Sequence, residues 1–266
     1  MRASDIRKLR PKTSIFQYDE MEPGTPITTE IFTRDLIQAV SDWQRGGSHG
    51  QKVKRGHRLK TVAASLPEHC RACAAACFRQ EAHEKDRVWQ LLADNHLPET
   101  IASWTTDIAI AKAFKGGVPP AGLQGIIFKI MPPKDSVILN LPVLHADPAF
   151  QAAIEIHKAS IDGYHDALGR WGDSQREVVL ELGNLDQASV HSYGGFSGNR
   201  ETLVELHLQP KPSPEDLAEF DELAKKAGIT PGGEWWLSES GTQAVLTRMQ
   251  PHISRLKQKK ADEAKS

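Results

Sequence analysis

The sequence predicts an α+β fold for the region from residue 61 to residue 208. Helical patterns come first in this region and a run of short strands follows, an order typical of α+β domains and not of alternating βαβ units. No G-x-G-x-x-G sequence follows a strand, so a Rossmann-type nucleotide site is not expected. The 266 residues, 39% of them apolar and 25% charged, are enough for one large globular domain or two small ones.

The charge and hydropathy of the chain argue against several classes of protein. A net charge of −1 at pH 7 gives no global basic field of the kind that dedicated nucleic-acid binders show. No run of roughly eighteen or more apolar residues occurs, so neither a transmembrane helix nor a membrane partner is expected. The basic N-terminus lacks the apolar core of a secretory signal. We therefore expect a cytoplasmic protein, or one delivered by a route that does not use such a signal.

The first 60 residues are expected to form a separate helical and arm segment. Residues 1–26 contain few periodic patterns and several Pro and Gly, which is typical of an arm that lies over a domain. A helix is predicted in TTEIFTRDLIQAVSDWQRG, with Thr28 or Thr29 as its N-cap and Gly46-Gly47 as its end. The stretch GGSHGQKVKRGHRLK predicts a flexible and then basic linker, whose charges either face solvent or contact phosphates.

Two helices and five strands are predicted in the central region. The helices fall in DRVWQLLADNH and in TTDIAIAKAFKGG, the second capped by Thr106 or Asp107 and ended by Gly116-Gly117. The strands fall in GIIFKIM, SVILNL, EVVLEL, QASVHSY and TLVELHL, with turn residues between several of them. This order of elements is the basis for the α+β prediction.

Residues 209–266 are expected to form a helical appendage at the C-terminus. Ser213-Pro214, followed by two acidic residues, predicts a helix start, and Gly228 predicts its end. A basic helix or tail is predicted in LTRMQPHISRLKQKKADEAKS. We expect Trp235-Trp236 to attach the appendage to the main domain, with a partner-binding surface as the alternative for this aromatic pair.

The three cysteines of the chain are clustered in HCRACAAACF. Cys70, Cys73 and Cys77, with His69 beside them, have the residue types of a soft-metal or iron–sulfur site. Most such sites draw ligands from two separate segments, and free Cys also serves as a small buried apolar residue. We therefore expect no metal here, and a Cys-ligated metalloprotein is the alternative. The odd number of cysteines also argues against a closed disulfide framework.

Three short segments, taken in order, resemble a known family. Arg79 follows Phe78 and an apolar stretch, Ser103-Trp104-Thr105 leads into a predicted helix, and Gln175-Arg176-Glu177 begins a predicted strand. Together they resemble the R-S-E class of mono-ADP-ribosyltransferases, in its bacterial toxin-like or effector-like form with a Gln-x-Glu motif. The resemblance covers roughly residues 70–208, and its specificity lies in the order of the motifs, because each motif alone is weak.

The resemblance implies a fold, a substrate and a reaction. The fold would be an ADP-ribosyltransferase-like split β-sandwich with flanking helices, with residues 61–208 as the catalytic domain. The protein would cleave NAD at the nicotinamide–ribose bond and transfer ADP-ribose to a macromolecular acceptor, a protein side chain or a nucleic acid. Such an activity is typical of a toxin, an effector or a defence enzyme. An NAD glycohydrolase or a catalytically inactive binding module of the same fold is the alternative.

The motif residues have expected roles at the NAD. Glu177 would stabilise the oxocarbenium-like sugar and accept a hydrogen bond from its 2′-OH. Arg79 would bind the pyrophosphate through its planar guanidinium. Ser103 would hydrogen-bond the ribose or orient Glu177, with Trp104 and Thr105 beside it in the NAD site.

Two further residues are expected to serve the acceptor. Gln175 lies two residues before Glu177, on the same side if the chain there is extended, so both side chains could face one reaction centre. In the family, a glutamine at this position goes with asparagine, glutamine or nucleobase acceptors. Trp171 could stack on the acceptor or simply cover the strand end.

Overall fold

A computed structural model describes most of the chain, namely residues 31–114, 117, 119, 123–194, 204–205, 212–226 and 236–264. These residues combine helices with one antiparallel sheet, which confirms the α+β class. No helix in these ranges is long and apolar enough to cross a membrane. The predicted N-terminal arm, residues 1–26, lies outside the described residues.

The helices and strands are numbered in chain order. The helices are α1 Arg34–Gln44, α2 His49–Ala63, α3 Lys85–Asp94, α4 Ile108–Ala113, α5 Leu141–Ala146, α6 Pro148–His157, α7 Leu168–Trp171, α8 Pro214–Lys226 and α9 Glu239–Glu263. The strands are β1 Cys77–Glu84, β2 Ile101–Thr105, β3 Leu123–Ile130, β4 Val137–Asn140, β5 Glu177–Glu181 and β6 Ala188–Gly194.

The six strands form one sheet in the order β4-β5-β2-β1-β3-β6, with every neighbouring pair antiparallel. Strand β1 pairs with β3 from Cys77 to Glu84, but it meets β2 at the single pair Phe78 and Thr105. The sheet is therefore two three-stranded halves with a narrow junction. The described strands lie in one sheet, so the two separate sheets of the expected sandwich are not present among them.

The alternation of side chains along β5 separates two hydrophobic cores. Val179 is fully buried in a core that also includes residues of α1, α2, α5 and α6. Val178 and Leu180 are fully buried in a second core with residues of α3 and α9. Because successive side chains of a strand point to opposite faces, Glu177 shares the face of Val179. Helix α1 covers this face.

Helix α1 begins later than predicted. Thr33 is its N-cap and accepts a hydrogen bond from the Leu36 backbone N–H at 3.2 Å, so the prediction of Thr28 or Thr29 is wrong. Thr33 immediately precedes the apolar stripe of the helix. The negative charge of Asp35 in the first turn interacts favourably with the positive end of the helix dipole. The predicted end is confirmed, because Gly46 adopts a φ of 69° directly after the C-cap.

The predicted flexible linker is wrong, because the same residues form helix α2. The backbone N–H of Ser48 donates to the Gln51 side chain at 2.9 Å, as in a capping box. Leu59 and Ala63, four residues apart, are buried on one face. Because many charged residues surround this short apolar stripe, the helical pattern is hard to recognise in the sequence. Helix α2 continues across residue 60, where the boundary between the N-terminal segment and the central region was predicted.

The prediction found both expected helices and four strands of the central region, but it missed strands β1 and β2 and helix α7. Helix α3 is present, and α4 is capped by Asp107, whose side chain accepts from the Ala109 N–H at 2.8 Å. Four of the five predicted strands correspond to β3, β4, β5 and β6. The fifth, TLVELHL, is wrong where it is described, because Val204 and Glu205 are helical. Helices α5 and α6 were not predicted, because their short apolar runs resemble buried strands.

Trp236 and helix α9 of the C-terminal appendage pack on the central region. Ser213 and Asp216 exchange hydrogen bonds at the start of α8, which confirms the predicted helix start. Trp236 is buried against Ala111 and Ile127, and its indole N–H donates to the Lys112 carbonyl at 3.2 Å. This contact confirms the attachment role for Trp236. Trp235 and Gly228 lie outside the described residues.

Candidate active site

Glu177 is the first residue of β5 and is almost fully buried, with 4% of its surface exposed. Its Oε1 accepts hydrogen bonds from the Ser103 hydroxyl and, at 2.7 Å, from the Trp43 indole N–H. Ser103 lies on the neighbouring strand β2, where the register places Thr105 opposite Glu177. The structure therefore brings Ser103 and Glu177 together, as their expected roles require.

The environment of Glu177 is buried but largely uncharged. Burial raises the pKa of this carboxyl above its ordinary value. Hydrogen bonds from Ser103, Trp43 and Gln44 act in the opposite direction, and so does the charge of Arg79. Burial prevails because three of these four partners are neutral. The carboxylate has donors that orient it, and none of the described cations forms a salt bridge with it, since Arg79 pairs with Glu81 and Glu99 instead.

Arg79 fills the gap where β1 and β2 diverge beyond their single pair. Its guanidinium donates to the Ser103 carbonyl at 2.7 Å and to Glu81 at 2.6 Å. Its third nitrogen lies 3.6 Å from Glu99. The bond to Ser103 replaces a hydrogen bond that a continuous sheet would supply from the β1 backbone. In this arrangement all three nitrogens are engaged, so Arg79 positions the strand that carries Ser103 rather than presenting a free fork to a pyrophosphate.

Glu81 is the charged counterpart of Glu177 on β1. Burial raises its pKa, but Arg79 and His83 outweigh burial and lower the pKa of Glu81 to about 2. His83 lies 3.2 Å from the second carboxylate oxygen. This carboxylate is therefore committed to an internal ion pair.

The geometry expected for Gln175 is wrong. Gln175 lies in a turn that spans residues 172–175, and Arg176 has a φ of 48°, in the left-handed region. The chain from Gln175 to Glu177 is therefore not extended, and the argument that both side chains point to one side does not hold. Gln175 is half-buried, at the start of the strand that carries Glu177.

Trp171 ends the short helix α7 instead of lying in a loop. It is half-buried, and the guanidinium carbon of Arg170 lies 4.5 Å from the centre of its ring. One face of the ring is thus already in contact with a cation. Its role in acceptor binding stays a prediction.

Trp104 does not face Glu177. It is 2% exposed and belongs to the hydrophobic core on the opposite face of the sheet, beside residues of α3 and α9. Neighbouring residues of a strand point to opposite faces, so a strand that presents Ser103 to Glu177 must send Trp104 the other way. Thr105 is on the face of Ser103, and its hydroxyl accepts the Asp107 N–H at 3.1 Å, which positions the start of α4.

Two residues of α1 contact the site and were missed from the sequence. Trp43 donates to Glu177, and Gln44 donates from its side-chain amide to the Gly172 carbonyl at 2.9 Å. Trp43 lies seven residues after Leu36 and three after Val40, on the apolar stripe of α1. That position predicts a core residue, and nothing in the sequence indicates that its N–H has a buried carboxylate as partner.

The cysteines are separated into two groups. Cys70 is buried in the first core, whereas the sulfur atoms of Cys73 and Cys77 are 3.7 Å apart. The hydrogen bond from Cys77 lowers the pKa of Cys73 to about 6. Within the described ranges, no group of three or more His, Cys, Asp and Glu side chains is arranged to hold a metal ion.

The basic face of α2 is largely occupied by ion pairs within the chain. Three of its cations pair with acidic residues of other elements: Lys52 with Glu99 at 3.8 Å, Arg58 with Asp35 at 3.2 Å and Lys60 with Glu181 at 2.5 Å. These pairs tie α2 to α1, β5 and the segment before β2. They favour the solvated-surface interpretation over phosphate contacts.

The chain matches no known family model, and neither the curated proteins nor the solved structures gave a significant match.

Proposed function

We propose that this protein is a mono-ADP-ribosyltransferase that cleaves NAD at its nicotinamide–ribose bond and transfers ADP-ribose to a macromolecular acceptor. The observation that carries the proposal is the meeting of the three motif residues. Arg79, Ser103 and Glu177 come from separate segments of the chain, yet Arg79 bonds the Ser103 carbonyl and the Ser103 hydroxyl bonds Glu177. Nothing in the spacing of the three motifs along the chain requires these contacts, so the convergence supports the proposal independently of the sequence resemblance.

The single six-stranded sheet is compatible with this assignment, although the described strands do not form the two separate sheets of a split sandwich. The narrow junction between the β4-β5-β2 and β1-β3-β6 halves lies beside Arg79, which is where a split sandwich would separate. We propose that the cleft for NAD follows this junction, with Glu177 at its wall. Trp104 then packs behind the cleft, on the opposite face of the sheet, and the Thr105 hydroxyl positions the start of α4.

The electrostatics of Glu177 fit the reaction. As the C–N bond breaks, nicotinamide leaves as a neutral molecule with the bonding electrons, and positive charge develops on the ribose. An ionised carboxylate with neutral hydrogen-bond donors keeps its charge available for that cation. The hydrogen bonds from Ser103 and Trp43 both have Oε1 of Glu177 as their acceptor. We assign Oε2 to the 2′-OH of the ribose.

The acceptor then attacks the anomeric carbon, forms the new bond to the ribose and releases its proton to water. We propose that Gln175 aligns this acceptor from the turn before β5, since a carboxamide both donates and accepts hydrogen bonds. The left-handed Arg176 places Gln175 in the turn rather than along the strand, so Gln175 and Glu177 are separated in position as well as in role.

The proposal is tested with the full chain, NAD labelled in its adenylate part, and a cell lysate. We expect label to be incorporated into macromolecules, and digestion with protease or with nuclease to show which class carries it. Glu177→Gln should abolish incorporation. Glu181→Gln is the matched control, since Glu181 lies at the far end of the same strand and pairs with Lys60.

Three outcomes separate the candidate functions. Incorporation that depends on Glu177 supports the transferase. Nicotinamide release with no incorporation in any lysate indicates an NAD glycohydrolase. Neither release nor incorporation, with NAD binding by calorimetry, indicates a binding module.

A further inference from the structure

The contact between helix α1 and Glu177 lies outside the three motifs. The Trp43 indole N–H and the Glu177 carboxylate are 134 positions apart in sequence, and both groups are buried at their 2.7 Å hydrogen bond. An indole N–H is a donor only, so burying it without an acceptor costs free energy. Here that acceptor is the carboxylate to which the proposed function assigns the chemistry.

Helix α1 holds Trp43 firmly in place. Leu36, Ile37 and Val40 of the same helix are at most 1% exposed, so the helix is anchored in the first core. On the other side of the ring, a Cβ added at Gly56 of α2 would lie 3.1 Å from the Trp43 ring. The close approach of α2 at this glycine leaves the ring little freedom to rotate. The indole N–H is thereby fixed in direction before any substrate binds.

The next residue of α1 holds the other side of the site. The Gln44 amide donates to the Gly172 carbonyl at 2.9 Å, and Gly172 has a φ of 49° at the end of α7. Adjacent residues of one helix therefore bond the carboxylate and the turn that precedes it. Their shared anchor fixes the distance between Glu177 and the segment that carries Gln175.

We infer that Trp43 is a positioning residue for Glu177, which aims the carboxylate through the indole N–H. The inference rests on the proposed function. Ser103 on β2 and Gln44 on α1 are neutral, and Arg79 on β1 is the cation whose charge acts on Glu177. Loss of the Trp43 donor would leave a buried carboxylate with fewer bonds and a broader range of orientations.

The test compares Trp43→Phe with Trp89→Phe. Trp89 is a matched control, because it is equally an interior tryptophan but lies in the second core, stacked on Tyr193 at 5.1 Å between ring centres. Trp43→Phe keeps an aromatic ring and removes the N–H. We expect kcat for nicotinamide release to fall between about tenfold and a hundredfold, as for a small misplacement of a catalytic group, with KM nearly unchanged.

The pH profile distinguishes positioning from a loss of folded structure. Because the N–H favours the ionised carboxylate, the acidic limb of the kcat profile should move to higher pH in Trp43→Phe. In Trp89→Phe, the acidic limb of the kcat profile should stay at the wild-type pH. A Trp43→Phe protein with wild-type kcat and an unmoved limb would overturn the inference.

A second measurement does not depend on turnover. In protein labelled with ¹⁵N-tryptophan, the Trp43 indole signal is identified by its loss in Trp43→Phe. We expect it to shift as pH is raised through the titration of Glu177, and to lose that shift in Glu177→Gln. An indole signal indifferent to both pH and Glu177→Gln overturns the contact, whatever the activity. If the signal titrates but the wild type cleaves no NAD, the proposed function has failed while the coupling of Trp43 to Glu177 stands.

Discussion

Two glutamates with little exposed surface, on opposite sides of the narrow junction, have pKa values shifted in opposite directions. Glu81 on β1 has Arg79 and His83 as partners, and its pKa is lowered to about 2 even though burial acts to raise it. Glu177 on β5 is buried as well, but its direct donors are neutral, and burial raises its pKa. The residue type is the same and the burial is similar. The charge of the partners decides the difference.

We infer from this comparison that Glu177, rather than Glu81, is the carboxylate available to a substrate. The charge of Glu81 is already compensated by an internal cation, so it serves to hold Arg79. Glu177 carries the cost of burial without such compensation, which is typical of a site that is preorganised for a cationic transition state. The ion pair of Glu81 stabilises the fold, whereas the uncompensated burial of Glu177 lowers the free energy of unfolding.

The largest expected effect is on the structural side of this comparison. Arg79→Ala leaves the largely enclosed Glu81 without its cation and should lower the free energy of unfolding by about 3 to 5 kcal/mol. Urea denaturation of Arg79→Ala, Glu81→Ala and the double variant measures the coupling between the two residues. If the two single effects simply add, Glu81 and Arg79 do not form an energetically coupled pair.

Arg79→Lys tests the same residue in a protein that is expected to fold. An ammonium can keep the charge beside Glu81, but it cannot bond Glu81 and the Ser103 carbonyl with the geometry of a guanidinium fork. We expect weaker NAD binding by calorimetric titration, because the strand that carries Ser103 loses its anchor. Unchanged affinity would remove Arg79 from the NAD site.

The next effect concerns the acceptor side. Gln175→Ala should reduce transfer to the natural acceptor by roughly tenfold or more, as expected when a positioned hydrogen-bonding group is lost, while slow NAD hydrolysis continues. The two rates are nicotinamide release without acceptor and ADP-ribose incorporation with it. Gln175→Glu should also lose the native acceptor, because a carboxylate prefers a guanidinium. A parallel fall of both rates in Gln175→Ala would place Gln175 in the NAD site.

Glu177→Gln should stabilise the fold at high pH. The folded-state pKa of Glu177 is raised, so its contribution to stability is fully present below the ordinary value of 4.5 and is lost as pH rises through the folded pKa. Removing the charge should therefore raise the free energy of unfolding by about 1 kcal/mol at pH 8 and have less effect near pH 4. Thermal melts of wild type and variant at both pH values provide the check. A destabilised variant at pH 8 would contradict the assigned direction.

The smallest effect is expected at the cysteines. Cys73→Ser and Cys77→Ser should each lower the free energy of unfolding by about 1 kcal/mol or less. NAD cleavage should be unchanged, because the contact between the two cysteines is local to the start of β1. Metal analysis and denaturation of the variants test this expectation. Stoichiometric zinc or iron in wild-type protein, lost together with activity in the variants, would instead support the metalloprotein alternative.

The sequence predicted the elements whose signals are local. The apolar run of β5, the Asp107 cap of α4 and the Ser213 start of α8 each depend on residues within a few positions. Helix α2 was missed because its buried stripe is short and its remaining residues are charged. The family resemblance implied an NAD-site role for Trp104, but the alternation of side chains along β2 sends it to the opposite core.

The site was only partly accessible from the sequence. Ser103 and Glu177 have their expected contact, since their motifs lie on strands that the sheet pairs directly. Trp43 could not be assigned, because its pattern is that of an ordinary core residue and its partner is 134 positions away. The turn at Arg176 could not be predicted either, since arginine is uncommon at positive φ and the tertiary context imposes that conformation.

Nicotinamide release from NAD by the full chain, with Glu177→Gln compared with Glu181→Gln, tests directly whether Glu177 is the catalytic carboxylate. Both substitutions exchange a carboxylate for an amide on β5, but Glu181 pairs with Lys60 near the surface. We predict that folded Glu177→Gln loses on the order of a hundredfold or more in rate, as for one preorganised electrostatic group. We expect Glu181→Gln to stay close to wild type, since partly exposed ion pairs contribute little. Near-wild-type release by folded Glu177→Gln would mean that Glu177 is not the catalytic carboxylate.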